Sequence, residues 1–288
     1  MGFFYDRSVM KENLQIQLKS TQINQSYDWG NVVWHVWGEI EHRSESVKSS
    51  SPLVLLHGGS GSWSHWIRNV EFLAKSRNVW ALDIPGFGDS ELPPNVRDAD
   101  ELVPYLERIL KRTFGQQPLD VIGFSFGGMT AGLVAAEYPK IIRKLILVGV
   151  PGLGLFGEDL PMRGILASMS EREKRQVHRH NLRTMMLASD EPITEALIDL
   201  QIANVSRDRL RRRRIARTDI LLAAQKKWQC SVHGIWGECD ALFKNTLKDI
   251  PRVLTKLDSF TLIPNAGHWV MYENTNDFHS LVLRLLDE

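Results

Sequence analysis

A serine flanked by glycines, Gly123-Phe-Ser-Phe-Gly127, follows a short apolar run and opens a stretch with helical spacing. That arrangement suits nucleophilic attack. A strand turning sharply into a helix strains the serine backbone, and the flanking residues must be small because a β-carbon there would strike the neighbouring strand or helix. The Ser125 hydroxyl then stands clear, beside the positive end of a helix. Glycine is common enough for the bare pattern to arise by chance. The strand before it and the helix after it carry the reading.

Serine is a poor nucleophile until a base takes its proton. Nine histidines are available. His268 sits in Asn265-Ala-Gly-His-Trp269, after the last expected strand and before the last expected helix. That is where the base falls when the chain order is serine, acid, histidine. His35 falls within a strand, His42 in a polar loop, His178 and His180 in an Arg/Lys-rich helical stretch, and His279 on the last helix. The acid should follow a strand between Ser125 and His268. Asp240 does so, in Gly234-Ile-Trp-Gly-Glu-Cys-Asp240. Buried there, it would fix the imidazole tautomer and stabilise the imidazolium. Glu238, two residues away, competes with it. Asp258 precedes its strand, and Val148-Gly-Val-Pro-Gly152 offers no carboxylate.

Attack on a carbonyl builds negative charge on oxygen, which two backbone N–H groups can meet. The Phe126 amide is the first candidate. The second belongs to the turn His57-Gly-Gly-Ser-Gly-Ser-Trp63, with Gly59 favoured and Ser60 next. Phe124, Trp63 and Trp269 lie beside these positions and are expected to line an apolar substrate pocket, with core packing an equal alternative for either tryptophan. Met162, Met169, Met185 and Met186 could line the same pocket or simply pack the segment that holds them. Two cysteines, Cys230 and Cys239, form no disulfide framework, and no Cys/His spacing resembles a metal site. Acyl transfer of this kind calls for no metal or organic cofactor.

These groups need elements to hold them. Pro52–Leu56, Asn78–Ile84, Leu119–Gly123 and Arg143–Val150 are apolar runs, each closed by Gly, Pro or the serine turn. Such runs fit strands buried on both faces of a parallel sheet. Helical spacing at roughly 64–75, 99–113 and 127–138 alternates with them, which predicts an α/β fold with right-handed crossovers. Asn31–Ile40 reads as a further strand, 41–51 as a serine-rich loop, and 1–30 has weak periodicity. Residues 151–225 break the alternation with helical segments near 170–188 and 193–225. The pattern resumes with strands Ser231–Trp236 and Ser259–Ile263 and helices near 243–255 and 274–286. The expected organisation is a core in two parts, 1–150 and 226–288, with a helical lid, 151–225, over the C-terminal strand ends where open α/β sheets carry their sites.

The 288 residues carry a formal net charge of +1, from 35 basic and 34 acidic side chains. That balance gives no reason to expect a nucleic-acid or membrane partner. The run Arg207-Asp-Arg-Leu-Arg-Arg-Arg-Arg-Ile-Ala-Arg217 reads as a solvated helix face, with attraction to an acidic substrate or anionic surface the alternative. No window is apolar enough to span a bilayer and the N-terminus lacks signal-peptide features, so a cytoplasmic protein acting on a small molecule is expected. The oligomeric state is open, a homodimer being one option.

With these pieces placed, the chain from about residue 31 to 286 resembles the α/β-hydrolase superfamily. The motifs His57-Gly-Gly, Asp83-x-Pro-Gly-x-Gly-x-Ser90, Gly123-Phe-Ser-Phe-Gly-Gly128 and Gly267-His268 occur in order. Within it, Gly267-His-Trp269, Glu273, Phe278, Leu281-Val282 and Ile193-Thr-Glu-Ala-Leu197 resemble the meta-cleavage-product hydrolases, which break C–C bonds in ring-fission products. The resemblance implies a serine, acid, histidine triad without cofactor. That family carries Asn before the nucleophile, where this chain has Phe124, and a lid Arg for the substrate carboxylate, where it has Gln201. Its glycine turn also lacks the family's usual Pro. These departures favour a small carboxylic ester or lactone over a C–C substrate, which is the alternative. Asp or Cys at the elbow would mark dehalogenase, epoxide-hydrolase or dienelactone chemistry, and Ser125 argues against those. Cofactor-free haloperoxidases share a serine triad. A non-catalytic binder of this fold has no need to keep all three groups.

Overall fold

In the computed structural model, residue 16 and residues 19–38, 51–155 and 157–288 are described. The expected loop over 41–51 and the last residues of the strand expected to reach Ile40 lie outside these, except for Ser51.

Runs that are apolar on both faces form the middle of an eight-stranded sheet. The strands are β1 (Thr21–Tyr27), β2 (Gly30–Trp37), β3 (Leu53–Leu56), β4 (Val79–Leu82), β5 (Leu119–Phe124), β6 (Ile142–Val148), β7 (Ser231–Gly237) and β8 (Ser259–Ile263). Their order across the sheet is β1-β2-β4-β3-β5-β6-β7-β8. β1 pairs antiparallel with β2, and β2 with β4; every later pairing is parallel. The parallel strands β3 and β5 are buried throughout, as crossover helices covering both faces require. The weakly periodic stretch before Gly30 holds β1, which makes no apolar run because TQINQSY is polar and lies at an edge, with alternate residues facing water.

Helix α1 (Ala99–Phe114) is capped by the Asp98 carboxylate on the Ala99 amide and turns Leu102, Leu106 and Ile109 onto one face of the sheet. On the same face lies α2 (Phe126–Glu137), buried from Phe126 to Ala136. The other face is filled by Trp66, Val70 and the apolar stripe Phe278, Val282 and Leu285 of the C-terminal helix. The helix expected over 64–75 is two short turns, Trp63–Trp66 and Val70–Leu73, and that near 243–255 is likewise short.

Between β6 and β7 the chain forms α3 (Glu171–Asn181), opened by a Ser170/Glu173 capping box, then a π-helical turn Leu182–Met186, α4 (Glu195–Ser206) and α5 (Ile220–Ala224). The long helix expected over 193–225 stops at Ser206, and 207–213 is not helical. The basic run is therefore no simple solvated helix face. Arg207 pairs with Asp89 at 2.8 Å, and Arg209 donates to the Gly88 and Ser90 carbonyls at 2.9 and 2.7 Å. Arg213 pairs with Asp208. Helical continuation would carry these side chains away from the 83–90 turn that satisfies them. The chain closes with α6 (Thr275–Asp287). No helix among the described residues is long and apolar enough to cross a membrane.

Candidate active site

β5 delivers Ser125 at its C-terminal end, and α2 begins at the next residue. Ser125 has φ 50°, a left-handed conformation that an L-residue adopts only at a cost. The turn is this sharp because strand and helix touch. A β-carbon on Gly123 would collide with the Gly128 backbone, and one on Gly127 with the His57 carbonyl. The Ser125 amide donates to the Val148 carbonyl at 2.7 Å, pinning the turn to β6.

The three sequence candidates come together. His268 Nε2 lies 3.0 Å from Ser125 Oγ, and His268 Nδ1 lies 2.8 Å from Asp240 Oδ2. His268 is 2% exposed and Asp240 0%. The pattern fits a neutral imidazole whose Nδ1–H donates to the carboxylate and whose Nε2 accepts the serine proton. Asp240 Oδ1 accepts the Leu242 amide at 3.0 Å, so both its oxygens are held. Glu238 and Cys239, on the same turn, point to solvent; of the two competing carboxylates, only Asp240 reaches the imidazole.

Several supporting residues carry no role legible in the sequence, although His57 and Glu273 fall in the stretches that resemble the hydrolase families. Gly149, with φ +57°, lies directly behind the imidazole: a β-carbon there would sit 3.1 Å from His268 Nδ1. Glu273 accepts the Gly267 amide at 2.6 Å and the Ala188 amide at 2.8 Å, tying the histidine loop to the segment after α3. Burial pushes the Glu273 carboxyl up. His65 is fully buried and its Nδ1 accepts the Gly58 amide at 3.2 Å, fixing the 57–63 turn. His57 Nε2 accepts the Ile84 amide at 3.0 Å. Burial pushes His57 down and His65 well down, so both act as neutral rings. No local pattern marks His65, whose partners lie on the 57–63 turn and, through its ring, at Phe124 and Trp269.

The 83–90 turn packs behind the site. Asp83 accepts the Trp63 amide at 2.8 Å and the Asp89 amide at 2.9 Å. Donor atoms of His35, Asp83 and Asp89 lie within 4.8 Å of one another, close enough to share an ion. Both Asp83 oxygens are already engaged by backbone, however, and Asp89 pairs with Arg207, so this cluster reads as a structural brace.

Ser125 and His268 open onto a cavity of about 1420 Å³ between the sheet and the 151–225 segment. Phe124 and Phe126 line it, and the Phe124 ring packs 5.0 Å from that of His268. Trp63 and Trp269 do not line it. Trp269 is fully buried, donates its indole N–H to the His65 carbonyl at 2.9 Å and stacks on Tyr272; Trp63 packs on His35 and Trp37. Their expected role in the pocket is corrected to core packing, because tertiary partners, His65 and Tyr272 for Trp269 and His35 and Trp37 for Trp63, hold both rings off the cavity.

The Phe126 amide is the first of α2 and has no intrahelical acceptor. Gly59 and Ser60 line the cavity opposite it. Ser60, at φ 51°, donates its hydroxyl to Asp208 Oδ2 at 2.6 Å, and Asp208 in turn pairs with Arg213. The Arg213 guanidinium lies over Gly59, 3.0 Å from where a β-carbon would be, and its buried Nε–H has no acceptor. Gln201 also faces the cavity, with a buried, unpaired Oε1.

Residues 51–186 match the model of the family described as alpha/beta hydrolase fold. A 2-hydroxy-6-oxo-6-phenylhexa-2,4-dienoate hydrolase of Burkholderia cepacia is 27% identical over 81% of this chain and 87% of its own. A mouse (lyso)-N-acylphosphatidylethanolamine lipase is 34% identical over 40% of this chain, but the match spans only 35% of that relative. Among solved structures, a carboxylesterase from Bacillus subtilis superposes with TM-score 0.76 at 16% identity, over 97% of this chain and 96% of the other. The chain thus has the α/β-hydrolase fold, and the proteins it is similar to include a lipase and a C–C hydrolase by sequence and a carboxylesterase by structure. The likeness to meta-cleavage-product hydrolases extends over most of its length.

Proposed function

We propose that the protein is a serine hydrolase that cleaves a small carboxylic ester or lactone through an acyl-enzyme. The observation that carries this is the unbroken chain of hydrogen bonds from Asp240 through His268 to Ser125 at the floor of a cavity. His268 takes the Ser125 proton as the oxygen attacks the carbonyl carbon. Asp240 holds the imidazolium that forms, and the oxyanion accepts hydrogen bonds from the Phe126 and Gly59 amides. His268 then protonates the leaving alkoxide, and in the second half-reaction it deprotonates the water that releases the acid. The phenylalanines at the nucleophile favour an apolar group beside the scissile bond.

Arg213 favours a second reading, C–C hydrolysis of a ring-fission dienoate. The Burkholderia cepacia relative acts on such a compound, and Gln201 stands where that family carries its carboxylate-binding Arg. Arg213 reaches the cavity from elsewhere in the chain and could serve an acidic substrate.

A fluorophosphonate probe is expected to label the wild type at Ser125 and to leave Ser125→Ala unlabelled. Absence of wild-type labelling would sink the serine-hydrolase reading. Side-by-side turnover of p-nitrophenyl butyrate and a phenyl-substituted dienoate separates the two substrate classes, with the ester expected to be preferred.

A further inference from the structure

Among the described residues four large apolar side chains stand exposed: Met162 at 42%, Ile165 at 43%, Leu166 at 59% and Leu262 at 40%. Three of them fall within five residues of one segment ahead of α3. That segment is anchored. Asn181 accepts the Arg163 amide and donates to the Arg163 carbonyl, both at 2.9 Å, and His180 Nε2 lies 2.8 Å from the Pro161 carbonyl. The fold therefore holds these side chains out in water on a fixed support.

Charged groups of both signs surround them, Glu158 and Asp159 among the acidic ones, with arginine in excess. Met162, Arg163, Ile165, Arg211 and Arg217 all border the catalytic cavity. Arg217 bridges to Asp159 at 2.6 Å, drawing the 207–217 and 159–166 segments together at one rim. The side chains of Arg163, Arg211, Arg212 and Arg214 have no carboxylate partner among the described residues. Near-neutral in total, the chain thus gathers unpaired positive charge and exposed aliphatic carbon at the mouth of its cavity.

We infer that this rim docks on an anionic lipid surface, so that the cavity opens toward molecules held in a bilayer or micelle. Aliphatic side chains flanked by arginines match both layers of such a surface, the acyl boundary and the anionic headgroups. A second copy of the chain fits poorly, since a two-fold contact through this patch would bring its unpaired arginines against their own copies. This goes beyond the serine-hydrolase reading and does not require it.

The test uses the full-length Ser125→Ala protein, so that no turnover disturbs the vesicles. Co-sedimentation is measured with vesicles of phosphatidylcholine alone and of phosphatidylcholine with phosphatidylglycerol. Partitioning is expected to be roughly tenfold or more stronger with phosphatidylglycerol and to weaken with added salt. Leu166→Asp and the pair Arg212→Glu/Arg214→Glu, none of which lines the cavity, are each expected to lower it by about tenfold or more. The same substitutions with Ser125 intact should keep fluorophosphonate labelling at the wild-type rate, which also shows that they fold. Equal binding to both vesicle types, undiminished binding of the variants, or a solution dimer that Leu166→Asp dissociates would overturn the proposal. Vesicle binding without labelling of the Ser125 protein would overturn the catalytic reading alone.

Discussion

Gly149 and His268 meet at close range: a β-carbon on Gly149 would lie 3.1 Å from both Nδ1 and Cε1 of the imidazole and 3.4 Å from Asp240 Oδ2, so the ring would have to shift slightly to admit it. The glycine also sits at φ +57°, where a side chain is strained. Gly149→Ala is therefore expected to fold with a stability loss of about 1 kcal/mol and to lower kcat by about 10- to 100-fold by displacing the base. A kcat within twofold of wild type would mean that the ring does not depend on this contact.

Asp240 and Glu238 share one turn but face opposite environments, one sealed against His268 and the other in solvent. Asp240→Asn is expected to reduce kcat by about 10³- to 10⁴-fold, because the amide no longer selects the Nδ1–H tautomer. Glu238→Gln should leave kcat unchanged. Steady-state kinetics on p-nitrophenyl butyrate decides between them, and a large loss in the Glu238 variant would reverse the assignment of the acid.

Arg213 carries a buried Nε–H without an acceptor, aimed at the turn that bears Gly59. Replacement by Ala should raise KM for a carboxylate-bearing dienoate by roughly 10- to 100-fold, the range for a lost hydrogen bond to a charged group. The neutral ester should lose far less. Equal losses on both would point instead to collapse of the Ser60–Asp208–Arg213 brace.

Buried histidines set the response to acid. Burial lowers His35 and His279 to about 4, and lowers His57 and His65 as well. Above pH 6.5 these rings are neutral whether the chain is folded or not. As pH falls from 6.5 toward 4, the unfolded chain binds protons that the folded one refuses, so stability falls, by at most about 1.4 kcal/mol per pH unit for each ring. Asp83, whose carboxyl burial raises, acts in the opposite sense as it protonates. Thermal melts between pH 7 and pH 4.5 should show a declining Tm, and His35→Phe should flatten the decline. A Tm that rises over this range would contradict it.

The parts of the site fixed by local geometry were readable from residue order. The Gly-x-Ser-x-Gly elbow follows from strand–helix contact, and His268 and Asp240 follow from strand ends. β1 was hidden because an edge strand with a polar face makes no apolar run. The tryptophans were misplaced for the opposite reason: Trp269 adjoins the base in sequence, yet its indole follows a hydrogen bond to the His65 carbonyl, set by tertiary packing. Gly149, His65 and Arg213 act through partners remote in sequence or through space left empty, and neither leaves a local signature; Glu273 is marked by the family resemblance, but its hold on Ala188 is not. The arginine run is only partly a solvated surface, because the groups that hold Arg207 and Arg209, the Asp89 carboxylate and the Gly88 and Ser90 carbonyls, lie more than a hundred residues earlier.

The chain leaves the sheet after Val148 and rejoins it at Ser231, on the adjacent strand β7. Ser125, Asp240 and His268 all sit on loops of the sheet, and none on the excursion between these points. The proposed reacting groups thus come from one part of the chain, while the cavity they face is lined from both. Swapping the stretch between Gly152 and Trp228 for that of another protein of the same fold would carry Ser125, Asp240 and His268 over unchanged, but the incoming stretch would have to replace Asp208, Arg213 and the Ala188 amide, which brace the Ser60 turn and the Glu273-bound histidine loop from across the cavity.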